Sequence, residues 1–564
     1  MTGYRLFKKG YQAIVDLGPQ VLRVESPEEE WGVFEPPPDY SGAGSFQAEA
    51  EPEPSIDRLR IHSAAAPLAV FARKAKAVND WIYATLDTAA HEGDGPFLGK
   101  GDWVAALGRR LEATDALPDA QALPIAAACL TGRFDPSTLP VSVRLRVKKT
   151  LKVFEQSPML SKPIGFYSES ELLAQIFRHD RLLQQDFEAE VADVLTEALG
   201  AADLEASYRW HLRHAELTTG RLAWASLVDE RRSEQDKVSI FPPSRAPETD
   251  LMKRLYANRE IPDGFVLLEE VIRRVRSGDL DLTPSVEDGW YPRELYALSA
   301  LVQAGSSRLE VGERYQGLLD ELFKGLMSLT RETHVKQLEI PPVGLGIWDE
   351  EEDVRFEIGP RLRLEPVPGY YEGMADSYGW LQDALLGHWG RDALEQERIG
   401  TDGRVTSVSE QLADMASLFR GAAELSRQDL GFSSDEGLSS SGDRARALSF
   451  ILNWRQDVDL VADCRMMVPL YFDEKRQRLR VSVLCGYLDR SVSVSFVERP
   501  RVQIVGPSGE PAEVPLTWHE AGFSTVYPVS FECDVKALLD RDELRALADA
   551  HRRPSALKQA LEAL

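Results

Sequence analysis

The stretch ERYQGLLDELFKGLMSLTRETHVKQ, residues 313–337, decides the fold class. Its apolar side chains recur every three or four positions, which is the spacing of one face of an α-helix. They are Tyr315, Leu318, Leu319, Leu322, Phe323, Leu326 and Leu329. The stripe predicts a long helix with one buried face, and Pro341-Pro342 prevents the helix from running further.

Polar residues continue this face beyond Leu329. They are Thr330, Thr333, His334 and Gln337. Polar groups at this point either cap the helix end or line a pocket beside the core. Glu332 and Lys336 are spaced four positions apart, which fits an exposed ion pair on the helix surface that needs no ligand.

Helical patterns also flank this stretch, and a different pattern follows them. Ser168-x-x-Glu171 has the spacing of a capping box, and Pro292 suits the first position of a helix. Past Trp454 the apolar period changes to two, as in residues 479–485, 491–496 and 529–535. Such alternation indicates half-buried antiparallel strands. The predicted fold is therefore mainly α with a β-rich C-terminal section (α+β), a multi-helical domain followed by antiparallel strands.

Changes in composition and period divide the chain into five sections. We predict a short N-terminal β-like segment over 1–32 and an acidic Pro/Gly-rich linker over 33–56. A multi-helical domain is predicted over 57–455, an antiparallel β section over 456–535 and C-terminal helices over 536–564.

Charge and cysteine content narrow the function classes. The 564-residue chain carries a formal net charge of −26, which disfavours nucleic acid and membrane surfaces as partners. The predicted partners are therefore other proteins. Its four cysteines have no CxxC spacing, and neither a signal-peptide pattern nor a transmembrane-length apolar run is present. These features predict a cytoplasmic protein with reduced thiols. No sequence pattern predicts a cofactor.

No standard catalytic motif occurs, so candidate chemistry rests on looser patterns. Asp459 and Asp463, with Asp457, share one face of a predicted strand and form either a Ca²⁺ or Mg²⁺ site or an acidic face in water. His211 and His214 form either two metal ligands or part of an ordinary amphipathic surface.

Two carboxylates lie among aromatic residues further along the chain. Glu365 and Glu372, near Tyr370, Tyr371, Tyr378 and Trp380, have the composition of a glycosidase site. Aromatic residues at this spacing also pack a core, so both interpretations stay open.

Several segments together resemble the bacterial and archaeal domain-of-unknown-function family 3160, whose members are mostly extracytoplasmic. They are PIGFYSESELLAQIFR (163–178), YALSAL (296–301), TRETHVKQ (330–337), LEPVPGYY (364–371) and LVAD (460–463). The resemblance covers roughly residues 160–535 in the family's order. It implies a mainly helical domain with β structure behind it, and no established activity.

This chain departs from the family at its histidines. The family's Gly-His-Tyr reads Gly165-Phe166-Tyr167 here, and its Asp-Val-His reads Asp463-Cys464-Arg465. The histidine of its Arg-His-Asp-Thr element is displaced to His334. If those histidines bind metal or transfer protons in the family, this chain lacks most of the residues that do so.

Two hypotheses from different classes follow. The first is an interaction or scaffold protein built on a diverged enzyme-like helical domain. The second is a hydrolase, with possible Ca²⁺ or Mg²⁺ assistance, whose pocket lies between the helical domain and the β section. Its candidate residues are Tyr167, Arg178, His334, Lys336 and Glu365, with Asp459 and Asp463 as metal ligands.

Overall fold

The helical stripes and alternating runs of the sequence appear as helices and strands in a computed structural model of the chain. The structure describes residues 12–16, 21–25, 65–112, 118–200, 202–229, 237–257, 265, 267–303, 309–310, 313–339, 362–401, 403–429, 440–454, 465–473, 476–492, 495–496, 501–505, 511–515 and 523–564.

Helices dominate the described residues from 68 to 453. They are α1 (Leu68–Glu92), α2 (Lys100–Glu112), α3 (Pro118–Leu130), α4 (Val141–Glu155), α5 (Pro158–Ser161), α6 (Glu171–Leu183), α7 (Ala189–Leu199), α8 (Ala202–Thr218), α9 (Pro247–Tyr256), α10 (Leu267–Ser277), α11 (Trp290–Val302), α12 (Glu313–Thr333), α13 (Pro368–Trp389), α14 (Arg391–Leu394), α15 (Val408–Asp429) and α16 (Ser441–Asn453). Two more, α17 (Arg541–Ala550) and α18 (Pro554–Ala563), close the chain. None of the helices among these residues is long and apolar enough to cross a membrane.

The first helix is the centre of the helical part. Leu68, Phe71, Val78 and Ile82 are fully or almost fully buried on α1. Polar side chains on the same helix are buried as well, in a stripe that recurs every three or four positions. Gly93, in the left-handed region at φ 93°, ends the helix. Because α1 is buried on both its apolar and its polar sides, its charged side chains need partners inside the protein.

Strands from both ends of the chain form one antiparallel sheet. β1 (Gln12–Asp16) and β2 (Val21–Glu25) form a hairpin, in which Ala13 lies opposite Val24. The other edge of β1 pairs with β9 (Arg501–Val505), which pairs with β10 (Pro511–Pro515). The strand order is β10-β9-β1-β2, so two N-terminal strands and two strands of the C-terminal section form one sheet.

A second antiparallel sheet, of order β11-β7-β6, carries the apolar alternation of the C-terminal section. It consists of β6 (Arg465–Asp473), β7 (Arg478–Val492) and β11 (Phe523–Val535). The register shifts after Pro469 in β6 and after Pro528 in β11, as expected for prolines confined to edge strands and bulges. Short two-stranded pairs join β3 (Leu309–Glu310) to β8 (Ser495–Phe496) and β4 (Arg398–Ile399) to β5 (Val405–Thr406).

Helix α12 links the helical part to this second sheet. Ser328 on α12 and Ser482 on β7 have their hydroxyl oxygens 3.2 Å apart. Gly325 lies against the ring of Pro528, at a distance that leaves no room for a Cβ. One apolar core therefore extends from α1 and α12 through β7 to α17 and α18. Its continuity makes the helices and the second sheet one packed unit.

A second apolar core is formed by α2, α3, α4, α7 and α8. Its largest side chains include Trp103, Phe154 and Tyr208, and the rings of Trp103 and Tyr208 stack at 5.1 Å. Helix α6 joins the two cores, because Phe177 belongs to the first and Leu182 to the second.

The fold class predicted from the sequence is confirmed, with local corrections. Helix α12 ends at Thr333, short of Gln337. The cap of α6 is Ser170, whose hydroxyl accepts the N–H of Leu173, so Ser168-x-x-Glu171 is not the capping box. Pro292 is the third residue of α11. N–H groups in the first turn of a helix have no intrahelical acceptor, so the missing N–H of proline costs no hydrogen bond there.

Candidate functional site

Residues 331–337, the last residues of α12 and the turn that follows it, form a continuous run of buried side chains. All seven residues are at most 5% exposed, although six of them are polar or charged. Each polar side chain in this segment has a partner on a different part of the chain. We call residues 331–337 and these partners the polar hub.

Lys336 is at the centre of the hub. Its Nζ lies 2.5 Å from Oδ2 of Asp180 and 3.0 Å from Oδ2 of Asp87. Lys100 donates to the same oxygen of Asp180 at 2.9 Å, and the hydroxyl of Tyr167 donates to Asp87 at 2.5 Å. Two ammonium groups thus face two carboxylates, and their charges compensate inside the protein.

The surroundings shift the pKa values of these groups. Burial alone would lower the pKa of Lys336, but Asp180 and Asp87 raise it overall. Burial likewise opposes the ionised form of Asp180, yet Lys100 and Lys336 hold its pKa well below the usual range. Burial and the neighbouring Asp87 raise the pKa of Tyr167. The surroundings therefore favour the charged forms of Lys336 and Asp180 and the neutral form of Tyr167, whereas burial lowers the pKa of Lys100.

Two histidines extend the hub beyond Asp180. Nδ1 of His179 lies 2.8 Å from Oδ1 of Asp180, and because a carboxylate only accepts, Nδ1 carries the proton. The ring of His91 meets that of His179 edge-on, with centroids 4.9 Å apart. Burial, with a further contribution from His179, lowers the pKa of His91 to about 2. Nε2 of His179 and Nδ1 of His91 have no hydrogen-bond partner among the described groups.

His334 forms a separate branch of the hub. Its Nε2 lies 2.8 Å from Oε2 of Glu294, and Asn79 donates to the other oxygen of that carboxylate at 2.6 Å. The hydroxyl of Tyr378 donates to Oδ1 of Asn79 at 2.7 Å. The His334 ring is further enclosed by Tyr83, with ring centroids 5.2 Å apart. The imidazole is thus held inside the core, away from solvent.

Glu332 does not form the exposed ion pair with Lys336 that the sequence predicts. Glu332 is 1% exposed and lies 3.2 Å from the ammonium of Lys76 on α1, which also pairs with Asp80. Because the helix ends at Thr333, Lys336 is no longer one helical turn from Glu332. Burial outweighs Lys76 and raises the pKa of Glu332.

The turn after α12 is also held by two side chains at the C-terminal end of α6. Arg181 donates to the carbonyl oxygens of Val335 at 2.5 Å and Leu338 at 3.3 Å. Gln184 donates to the carbonyl of Lys336 at 2.8 Å. These bonds satisfy backbone carbonyls of the turn that follows α12, whose last residue is Thr333. The hub therefore fixes backbone as well as side chains.

The structure brings together only part of the predicted site. Tyr167 and Lys336 converge on Asp87, whereas His334 binds Glu294 in a separate branch. Glu365 is at the far end of α1, where the N–H of Leu68 donates to it. Asp87 is 19 positions further along this helix, which is about 28 Å. Arg178 is partly exposed and lies 3.8 Å from Glu171. Asp459 and Asp463 fall outside the described residues.

The structure also shows where the metal-ligand candidates predicted from the sequence lie. The described residues contain no group of three or more His, Cys, Asp and Glu side chains that could hold a metal ion. His211 and His214 are buried, so the surface interpretation is wrong. Nε2 of His211 lies 2.9 Å from the Leu98 carbonyl, and Nδ1 of His214 accepts from Trp389 at 3.2 Å.

The carboxylates among the aromatic residues do not face a common site. Glu372 pairs with Arg427 on α15, while Glu365 binds the backbone at the start of α1. Tyr370 and Tyr371 are fully buried core residues. The arrangement favours the core interpretation over a glycosidase site.

Four buried hub residues were not predicted from the sequence. Asp87, Asp180 and Glu294 each bind a candidate residue, and Lys100 binds Asp180. The sequence carries a signal only for the hub residues on α1. Polar residues recur every three or four positions along the otherwise apolar α1, namely Arg73, Lys76, Asp80, Tyr83, Asp87 and His91.

Comparisons with known proteins add no relative to this description. No protein-family model, no curated protein and no solved structure matches the chain.

Proposed function

We propose that this chain is an interaction or scaffold protein, in which the polar hub fixes the helical architecture and carries out no chemistry. One observation carries the proposal: four of the five candidate catalytic side chains are buried inside the protein, and only Arg178 is partly exposed. Tyr167, His334, Lys336 and Glu365 are each at most 2% exposed. A catalytic group must meet its substrate, and these side chains meet only other parts of the chain.

The balance of charge within the hub supports the same conclusion. Lys336 and Lys100 face Asp180 and Asp87, so each of these carboxyl groups has a lysine partner within the chain. Buried ion networks of this kind discriminate between alternative packings, because any other arrangement leaves a charge without its partner. The resemblance to family 3160 also supports the proposal, because two positions that are histidine in the family are Phe166 and Arg465 in this chain.

A hydrolase is the second candidate, and one specific observation favours it. Tyr167, Asp87 and Lys336 form a hydrogen-bonded chain of acid and base groups, two of which have shifted pKa values. Such clusters concentrate at active sites. The hydrolase needs an open path to this chain of groups, and the scaffold needs none.

Hydroxyl-radical footprinting of the full-length protein separates the two functions. Radicals oxidise exposed tyrosines whatever their pKa, so the readout measures access alone. Tyr167 is fully buried, and Tyr296 on α11, at 44% exposed, is a control of the same residue type. We expect Tyr296 to be oxidised about tenfold faster than Tyr167, whose access requires local opening.

Comparable oxidation of the two tyrosines would show an open hub and contradict the scaffold proposal. A second arm uses p-nitrophenyl acetate and p-nitrophenyl phosphate with wild type and Tyr167→Phe. Hydrolysis by the wild type that disappears in this variant would establish the hydrolase instead.

A further inference from the structure

Helix α4 presents an outer face that no described part of the chain covers. Val143, Val147 and Phe154 attach the helix to the second core. Val141 and Leu145 lie on the opposite side and are 60% and 61% exposed. Lys148, Lys149 and Lys152 continue this side along the helix and are also exposed. We call these five residues the α4 outer face.

The lysines of this face are concentrated in an acidic protein. Residues 140–163 contain six lysines and arginines and one glutamate, whereas the whole chain has a formal net charge of −26. Arg146, beside the face, forms an ion pair with Asp119 on α3. Within the described part of the chain, Lys148, Lys149 and Lys152 have no carboxylate in ion-pair contact. The protein thus keeps three cations available on one helix.

Helix stability does not account for this arrangement. Cations stabilise a helix mainly in its last turn, and Lys148 and Lys149 lie in the middle of α4. Two aliphatic side chains left more than half exposed in line with them stabilise the fold less than buried ones would. Apolar contact area followed by cations is what an amphipathic acidic helix would bind.

We propose that the α4 outer face binds an acidic amphipathic helix of a partner protein, an inference that rests on the proposed interaction function. Aliphatic side chains of the partner would cover Val141 and Leu145, and its carboxylates would pair with the three lysines. The face extends about 16 Å from Val141 to Lys152, because a helix rises 1.5 Å per residue. A partner helix of three turns covers that length.

Charge and composition select this occupant over a membrane or a nucleic acid. Both of those surfaces are anionic over a large area and would meet the repulsion of the whole acidic chain. A short acidic helix meets only the local cations. The face also has no aromatic residue, which membrane-interface helices and single-strand binding surfaces use as anchors.

The test measures fluorescence anisotropy of a labelled 14-residue peptide against the full-length protein. The peptide carries Leu at helical positions i and i+4 and Glu on the rest of that side, and a second peptide carries Lys in place of Glu. We expect the acidic peptide to bind at least about tenfold more tightly than the basic one. Its affinity should fall as salt is raised, since the lysines are exposed.

Three double variants locate the binding. K148E/K149E should weaken the acidic peptide by about tenfold or more, and V141S/L145S by a similar factor. R209E/R213E on α8 is the matched control, because it reverses the same number of charges at residues 53% and 51% exposed. We expect this control to change the affinity by less than about twofold. Thermal unfolding of each variant confirms that the fold is retained.

Equal affinity for the two peptides, or equal effects of K148E/K149E and R209E/R213E, would overturn the docking proposal. Binding of phosphatidylserine vesicles or oligo-dT in place of the peptide would also overturn it. A concentration-dependent dimer that K148E/K149E abolishes would assign the face to a second copy of the chain and refute a separate partner. Failure of the scaffold proposal is distinguishable, because it appears as rapid oxidation of Tyr167 whatever the peptide does.

Discussion

Lys336 and Asp180 are 156 positions apart in the chain, yet Nζ of one lies 2.5 Å from Oδ2 of the other and both side chains are 3% exposed. Replacing Lys336 with Met keeps much of the apolar stem and removes the charge. Asp180 then keeps only Lys100 as a cation, and Asp87 keeps only Tyr167 among these partners. We expect the free energy of unfolding to fall by about 3–5 kcal/mol, measured by urea denaturation, because a buried charge loses its partner.

Lys148→Met on the α4 outer face is the control for this prediction. It removes the same charge from an exposed position, where the change should stay within about 0.5 kcal/mol. A Lys336→Met protein as stable as Lys148→Met would contradict the paired, buried state of Lys336.

Gly165 should tolerate no side chain. It has φ +59°, and a Cβ would overlap Oε1 of Glu332. Gly132 has a similar φ, +67°, with nothing within 4 Å of the Cβ position. Gly132→Ala should therefore cost about 1–2 kcal/mol from the left-handed backbone alone. Gly165→Ala should cost at least about 1 kcal/mol more, because Glu332 must also move.

Urea denaturation of the two alanine variants measures this difference. Equal stability would mean that Glu332 leaves its position beside Gly165 at no cost, and would argue against a fixed ion pair between Glu332 and Lys76.

Buried histidines should make the protein sensitive to mild acid. Burial lowers the pKa of His91 to about 2 and of His211 to about 3. In the unfolded chain a histidine titrates near 6.5, so below that pH the unfolded state binds protons that the folded state does not. Stability is complete above pH 6.5 and falls as the pH is lowered, by about 2 kcal/mol per histidine at pH 5. Asp180, whose pKa is also lowered, contributes only below about pH 4 and lies outside this window.

The measurement is the free energy of unfolding at several pH values between 7 and 5. His91→Gln should reduce the slope below pH 6 by about one proton. His551→Gln, at a partly exposed position after α17, is the comparison for a histidine outside the core. Identical slopes for wild type and His91→Gln would show that His91 is protonated within the folded protein.

The sequence predicted what depends on near neighbours and missed what depends on distant ones. The stripe of α12 and the alternation in β7 and β11 each lie within one element, so the fold class followed from them. The pairing of β1 with β9 joins residues almost 490 positions apart, and no local pattern encodes it. Lys336 and Glu332 appeared to be one helical turn apart, but the helix ends between them. Their actual partners come from α1 and α6, which only tertiary packing brings to that point.

Glu365 is expected to cap α1 and to take no part in catalysis. Pro67, which precedes the helix, provides no side-chain cap. Oε2 of Glu365 accepts the N–H of Leu68 at 2.8 Å, and Oε1 accepts the hydroxyl of Tyr315 at 3.2 Å. A carboxylate at a helix N-terminus also meets the positive end of the helix dipole. Glu365→Ala should therefore cost about 1–2 kcal/mol, and Glu365→Gln should cost less because an amide oxygen still accepts the N–H.

Hydrogen exchange separates this capping role from a general loss of stability. In Glu365→Ala, exchange should accelerate in the first turn of α1, residues 68–71, while the hub end near Asp87 stays protected. Glu339→Ala is the comparison, since Glu339 is also buried and pairs with Lys253 at 2.7 Å, at a site away from the start of α1. Equal acceleration at residues 68–71 in both variants would refute the capping role, because a cap acts on the turn it binds.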